Sequence, residues 1–265
     1  MKKVLKGLTC IALAGLAVAG LASCKKGKEK LIVATNAEFP PFEYDGDQGF
    51  DMDLIRAYGE YVGKEIEIQD VEFDAALLAV QNGKADIAIA GITKNADREK
   101  VLAFSDAYYS SNQLVTTKTG SALQTTISSL TTDADICAAL AGKKIGVQRG
   151  TTGQYYVEGD ADWGFDGITN ADCRTYDNGG LAMKDLNDGK IDAVILDEAP
   201  TKSIVSARYS SSLTVSNVAL TEEEYAIAVN KDNQELVKSL NEFISHIKEN
   251  GQYAELINKY FGEAE

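Results

Sequence analysis

Two segments of the chain, QNGKADIAIAG over 81–91 and NDGKIDAVILD over 187–197, repeat one pattern. Each reads as a helix end, a glycine (Gly83, Gly189), a lysine, an apolar residue, an aspartate and an apolar strand. Glycine just past the last helical turn adopts the left-handed conformation that closes a helix. The short apolar run that follows suits a strand buried on both faces of a parallel sheet. A chain that does this twice builds two α/β units. In open α/β sheets, ligands bind in the crevice beyond the carboxyl ends of the strands.

The two strand ends carry opposite charges. The strand over 87–90 opens into Gly91-Ile92-Thr93, with Arg98 five residues further on, whereas the second strand ends in Asp197. Gly91 lets a ligand approach the backbone closely. Thr93 adds a hydroxyl, and the planar guanidinium of Arg98 matches a carboxylate. Asp197 complements an ammonium group, so the pair together fits an amino-acid zwitterion. The plain alternative is a surface Arg98 paired with Asp97 or Glu99.

Strands and helices alternate along the chain, which implies parallel sheets. Strands are expected at Leu31–Thr35, Glu65–Val71, 87–90, Asn112–Thr117, Lys144–Gln148, Ala193–Leu196 and Tyr225–Val229. Helices are expected at Phe50–Val62, Phe73–Gln81, Ala134–Leu140, Leu181–Asn187, Gln234–Ile247 and Tyr253–Tyr260. Asp74 reads as a helix N-cap. The Thr/Ser-rich run 116–132 reads as a polar loop.

At the N-terminus, Lys2, Lys3 and Lys6 precede an apolar stretch from Leu8 to Leu21, the pattern of a signal peptide over 1–23. Leu21-Ala22-Ser23-Cys24 resembles a bacterial lipobox, which predicts a lipidated Cys24 followed by a short linker to residue 30. Such a tether anchors the protein to the outer side of the cell membrane. Removing residues 1–23 takes away three lysines and no acids, so the formal charge moves from −14 to −17. So acidic a body argues against nucleic-acid binding. Cys137 and Cys173 could form a disulfide in an oxidising compartment.

Several segments together resemble the extracytoplasmic solute-binding proteins of the polar amino-acid uptake family, receptors of ABC importers. They are TNAEFPPFEY (35–44), GFDMDLIRAYGEYVGKEIEI (49–68), VEFDAALLAVQNGKADIAIAGIT (71–93), DREKVLAFSDAYY (97–109), GKKIGVQRGTTG (142–153), GKIDAVILDEAP (189–200) and NGQYAELINKYFG (250–262). Segments 118–135 and 158–171 match poorly. The resemblance implies an α/β, two-lobed fold of the periplasmic-binding-protein type II, with hinge crossovers. Lobe 1 would take residues 30–109 and 226–265, and lobe 2 residues 110–225. The partners implied are a free L-amino acid and the ABC permease subunits, with the protein a monomer and no cofactor or metal.

The same resemblance assigns roles residue by residue. Arg98 and Thr93, with backbone N–H groups around Gly91, match the α-carboxylate ligands, joined by Thr152 from the other lobe. Asp197 matches the α-ammonium acceptor, and Phe39 and Phe73 match an aromatic pair that sandwiches the ligand's side chain. Asn36 and Gln148 stand where relatives often place charged residues, which predicts a neutral polar amino acid; Glu38 and Glu43 are rim contributors. A cationic amino acid is the alternative. A rival class is an enzyme resembling periplasmic dehydratases on the same fold, but acid/base chemistry needs a poised group in the cleft. The only histidine, His246, falls on an amphipathic helix.

Overall fold

A computed structural model of the chain describes residues 29–262. The predicted signal segment and Cys24, the residue expected to carry lipid, lie outside the described residues. Two five-stranded mixed sheets form two lobes. The first sheet runs in the order Glu65–Asp70, Lys30–Thr35, Ile87–Ala88, Ala228–Asn230 and Leu102–Phe104. The second runs Asp172–Tyr176, Lys144–Gln148, Ala193–Asp197, Gln113–Lys118 and Leu213–Val215. In each sheet the first three strands are parallel and a later strand enters antiparallel, so neither sheet is the purely parallel one that alternation implied.

Helices cover the sheets where their apolar spacing allows. Phe50–Val62 buries Phe50, Leu54, Ile55 and Tyr58 on one face, and Gly63 at φ 70° ends it in the left-handed conformation. Phe73–Gln81 packs on the first sheet beside the cleft. Its first residue is Phe73 and its N-cap Glu72, so Asp74 sits inside the first turn rather than capping it. The C-terminal helices Gln234–Glu249 and Gln252–Phe261 return to pack on Phe50–Val62. Among the described residues no helix is long and apolar enough to cross a membrane.

Some expected elements differ. The strand over 87–90 is regular only at Ile87–Ala88, because the chain must bend at once to present Gly91. The run 116–132 is not all loop: the strand extends to Lys118, and a helix spans Ala122–Ile127. The Ser121 side chain caps that helix by accepting from the Gln124 N–H, and buried Ile127 anchors it. Cys137 and Cys173 are free thiols, and Cys137 Sγ lies 2.9 Å from the Tyr156 hydroxyl.

Between the sheets, Tyr109–Ser111 pairs antiparallel with Glu223–Tyr225 in a ribbon belonging to neither lobe's sheet. These are the two extended crossovers expected at the hinge. An aromatic cluster surrounds them. The ring of Phe42 lies 4.9 Å from that of Tyr109 and 5.2 Å from those of Tyr225 and Phe261, with Phe39 and Phe50 about 6 Å away. Edge-to-face pairs of this kind add stabilisation beyond area burial. Phe42→Ala should therefore cost about 3–5 kcal/mol, read as a lower denaturant midpoint at unchanged slope in chemical unfolding.

Candidate functional site

The carboxyl ends of the parallel strands meet at the interface between the lobes. Asn36 follows Thr35, Gly91 lies three residues past Ala88, Gln148 ends its strand, and Asp197 ends the next. All nine residues picked from the sequence line one narrow cavity there: Asn36, Phe39, Phe73, Gly91, Thr93, Arg98, Gln148, Thr152 and Asp197. Glu43, Ala90 and Thr151 complete the lining.

Arg98 stands on the short helix Ala96–Val101, capped by the Asn95 side chain, which accepts from the Arg98 N–H. Its guanidinium donates to the carbonyl oxygens of Thr93 (2.6 Å) and, across the cleft, Gly150 (3.1 Å), and lies 5.3 Å from the Phe73 ring centre. No carboxylate comes within salt-bridge distance of it among the described residues. Burial accordingly pulls its pKa below the usual arginine value. Gly150 sits at φ 72°, where any side chain is strained, and an added Cβ, 1.6 Å from an Asp74 carboxylate oxygen, would also push that side chain aside.

Gly91 is required for a reason the sequence did not show. At φ 53° it occupies left-handed space, and a Cβ would lie 2.7 Å from the Phe39 ring and 3.2 Å from that of Tyr225. The glycine thus seats an aromatic wall as much as it admits a ligand. Its N–H donates to Asp51 Oδ2 (2.9 Å), which also accepts from the Tyr108 hydroxyl (2.8 Å).

The amides of Asn36 and Gln148 meet across the cleft, Gln148 Nε2 donating to Asn36 Oδ1 at 2.9 Å. Asn36 in turn donates to the Val71 carbonyl. The two rim acids expected from the sequence part company. Glu38 is exposed and bonds Asn178 of the other lobe. Glu43 is fully buried, lines the cavity, and has no protein donor on either carboxyl oxygen. Burial first, then the neighbouring Asp51, pushes the Glu43 pKa well above the carboxylate range.

Asp197 Oδ1 accepts from the Tyr225 hydroxyl at 2.5 Å. Burial first, and then Glu223, raises the Asp197 pKa to about 7. Thr93 and Thr152 both turn their hydroxyls to Glu223. Asp51, Gln113 and Glu223, which the sequence reasoning missed, stand behind the lining and bond Gly91, Thr93 and Thr152. Asp51 lay in a segment quoted for its resemblance, without a role. Glu223 lay in the run TEEEY, which reads as solvated charge. Among the described residues no cluster of three or more His, Cys, Asp or Glu side chains is placed to hold a metal ion.

The sequence pattern of the bacterial extracellular solute-binding proteins, family 3, matches residues 31–263. The chain belongs to that family. The arginine-binding extracellular protein ArtP of Bacillus subtilis is 30% identical over 89% of this chain and 88% of its own. The L-cystine-binding protein TcyJ of Escherichia coli is 28% identical over 98% of this chain and 96% of its own. Among solved structures, an ancestral arginine-binding protein bound to arginine superposes with a TM-score of 0.77 at 32% identity, covering 89% of this chain and 99% of that one. An ancestral arginine-binding protein bound to glutamine gives 0.76, also at 32% identity. Family 3 membership accounts for the two lobes and the cleft between them.

The buried acids at the cleft set a pH dependence. Asp51, with its pKa raised to about 6, and Asp197, at about 7, bind protons more tightly in the folded chain than in the unfolded one. Their stabilising effect is complete below the unfolded value near ~4 and is lost as the pH rises through 6 to 7. The melting temperature should fall between pH 5 and pH 8, and Asp51→Asn should flatten that fall in a calorimetric pH series.

Proposed function

We propose that the chain captures a free L-amino acid between its lobes, delivers it to the permease of an ABC importer, and prefers a side chain that ends in a cation. One observation carries the side-chain class. The buried charged residues among those described are Glu43, Asp51, Arg98, Asp197 and Glu223, and all five gather at this cleft. Even with one proton shared between Glu43 and Asp51, the acids outnumber the single guanidinium. The α-ammonium and α-carboxylate of a ligand cancel, so only a cationic side chain reduces the excess, and its charge would draw the buried Glu43 into the ionised form, with an oxygen to which no protein group donates. In this reading Arg98, with backbone N–H groups at Thr93 and Thr152, holds the α-carboxylate; Asp197 holds the α-ammonium; Phe39 and Phe73 flank the aliphatic chain.

Several relatives and solved structures carry arginine in their names, which supports the same class. A neutral polar ligand, as the amides of Asn36 and Gln148 suggest, is the second reading. It is favoured by the unpaired Gln148 Oε1 and by the similarity to an ancestral arginine-binding protein bound to glutamine. Family membership and the exposed position of His246 support a binding role rather than an enzymatic one. The protein works as a monomer without cofactor or nucleic acid, held outside the cell membrane by lipid on Cys24.

Calorimetry with L-arginine, L-lysine, L-glutamine and L-cystine tests the ligand class. Wild type should bind a cationic ligand most tightly. Glu43→Gln should weaken that binding roughly tenfold to a hundredfold while leaving glutamine little changed, since a hydrogen bond to a charged group is worth about 1.5–3 kcal/mol. A wild type that prefers glutamine to arginine supports the neutral reading instead. Arg98→Ala, or an α-amide in place of the carboxylate, should abolish binding of every ligand.

Anchoring has its own check. Cys24→Ala should move the protein from the membrane fraction to the soluble one and leave ligand affinity unchanged. Retention on membranes through detergent-free washing would refute the lipid tether.

A further inference from the structure

We propose that Glu223 is a positioning residue for the ligand's α-ammonium, fixing the hydrogen-bond polarity of the threonine that each lobe brings to it. The proposal rests on the amino-acid reading of the cleft but not on the side-chain class. Glu223 is buried on the hinge strand Glu223–Tyr225, paired with Ser111 of the other crossover. Its Oε2 accepts from Thr93 Oγ1 at 2.6 Å and from Thr152 Oγ1 at 3.0 Å, and its Oε1 accepts from Thr221 at 2.8 Å.

A carboxylate only accepts, so it draws both hydroxyl protons toward itself. For Thr152 the direction is forced twice, because Gln113 Nε2 donates to the same hydroxyl oxygen at 2.9 Å. The two threonines therefore meet a ligand through oxygen lone pairs, which receive an ammonium and turn away a second carboxylate. Thr93 lies in the first lobe and Thr152 in the second, so a single group on the hinge holds both only when the lobes are together.

The charge of Glu223 acts in the same sense. Asp197 faces Glu223 and Tyr225 from the hinge strand, Gln113 from the neighbouring strand, and Glu43 and Arg98 from the first lobe. Glu223 is the charge that presses most on Asp197 after burial itself. Two buried carboxylates side by side repel, and a cation between them relieves both. Glu223 thus costs stability and favours the ammonium.

Glu223→Gln separates this role from a scaffolding one. Glutamine keeps the shape but has one acceptor oxygen where three hydroxyls donate to the carboxylate, so a scaffolding role would lower the melting temperature at every pH. The positioning role gives the opposite pair of signs. The variant should melt no lower than wild type at pH 8, and its fall in melting temperature from pH 5 to pH 8 should be smaller, because Asp197, still buried but relieved of its neighbour's charge, carries a smaller rise in pKa. Its affinity should nevertheless drop about tenfold or more in calorimetry against a panel of standard L-amino acids plus L-cystine. Affinity equal to wild type, or destabilisation at both pH values with affinity retained, overturns the proposal. A wild type that binds nothing in the panel overturns the amino-acid reading instead, and this role with it; the pH arm still reports on the Asp197–Glu223 pair.

Discussion

Arg98 is a buried cation without a carboxylate of its own, and the cleft is arranged around that fact. Desolvating a guanidinium is costly unless its donors are met and its charge offset. The chain supplies carbonyl oxygens from Thr93 and Gly150 and the face of Phe73, which satisfy donors but not charge. The carboxylates that do share the cleft press on one another instead. Burial of Glu43 beside Asp51, and of Asp197 beside Glu223, stores electrostatic strain on both sides of the cavity. A site of this kind trades folding stability for selectivity toward a guest of complementary charge pattern.

Much of this was legible in the sequence because strand ends are legible. The glycine–lysine–x–aspartate pattern located the strands bearing Gly91 and Asp197, and sheet geometry sends such ends into a crevice. Short-range spacing then tied Thr93 and Arg98 to the first strand. Residues whose place is set by long-range pairing were harder. Glu223 enters the cleft only because Glu223–Tyr225 pairs with Tyr109–Ser111, across more than a hundred residues of sequence. Glu43 reads from the sequence as a rim contributor, yet the short hairpin Glu38–Phe39 with Glu43–Tyr44 folds it inward. The helix Ala122–Ile127 was hidden by a composition rich in Thr and Ser, residues that favour caps and turns over helix interiors.

The aromatic cluster joins fold to function. Phe39 is at once a cleft wall and a neighbour of Phe42, whose ring touches both crossovers through Tyr109 and Tyr225. The ribbon that joins the lobes is therefore packed inside a single aromatic cluster shared with the cleft wall.

Tyr225 closes this circuit, since one side chain stacks in the cluster, rides the hinge strand and donates to Asp197. The ribbon between the lobes thus bonds one end of the cleft directly, through Tyr225 to Asp197 and Glu223 to Thr93 and Thr152, whereas Asn36, Glu43 and Gln148 make no hydrogen bond to it. Substitutions at the bonded end disturb the ribbon along with the chemistry. Substitutions at the other end are free of that penalty. A receptor built this way can drift from one amino acid to another by exchanging a few side chains, while its mechanics are inherited intact.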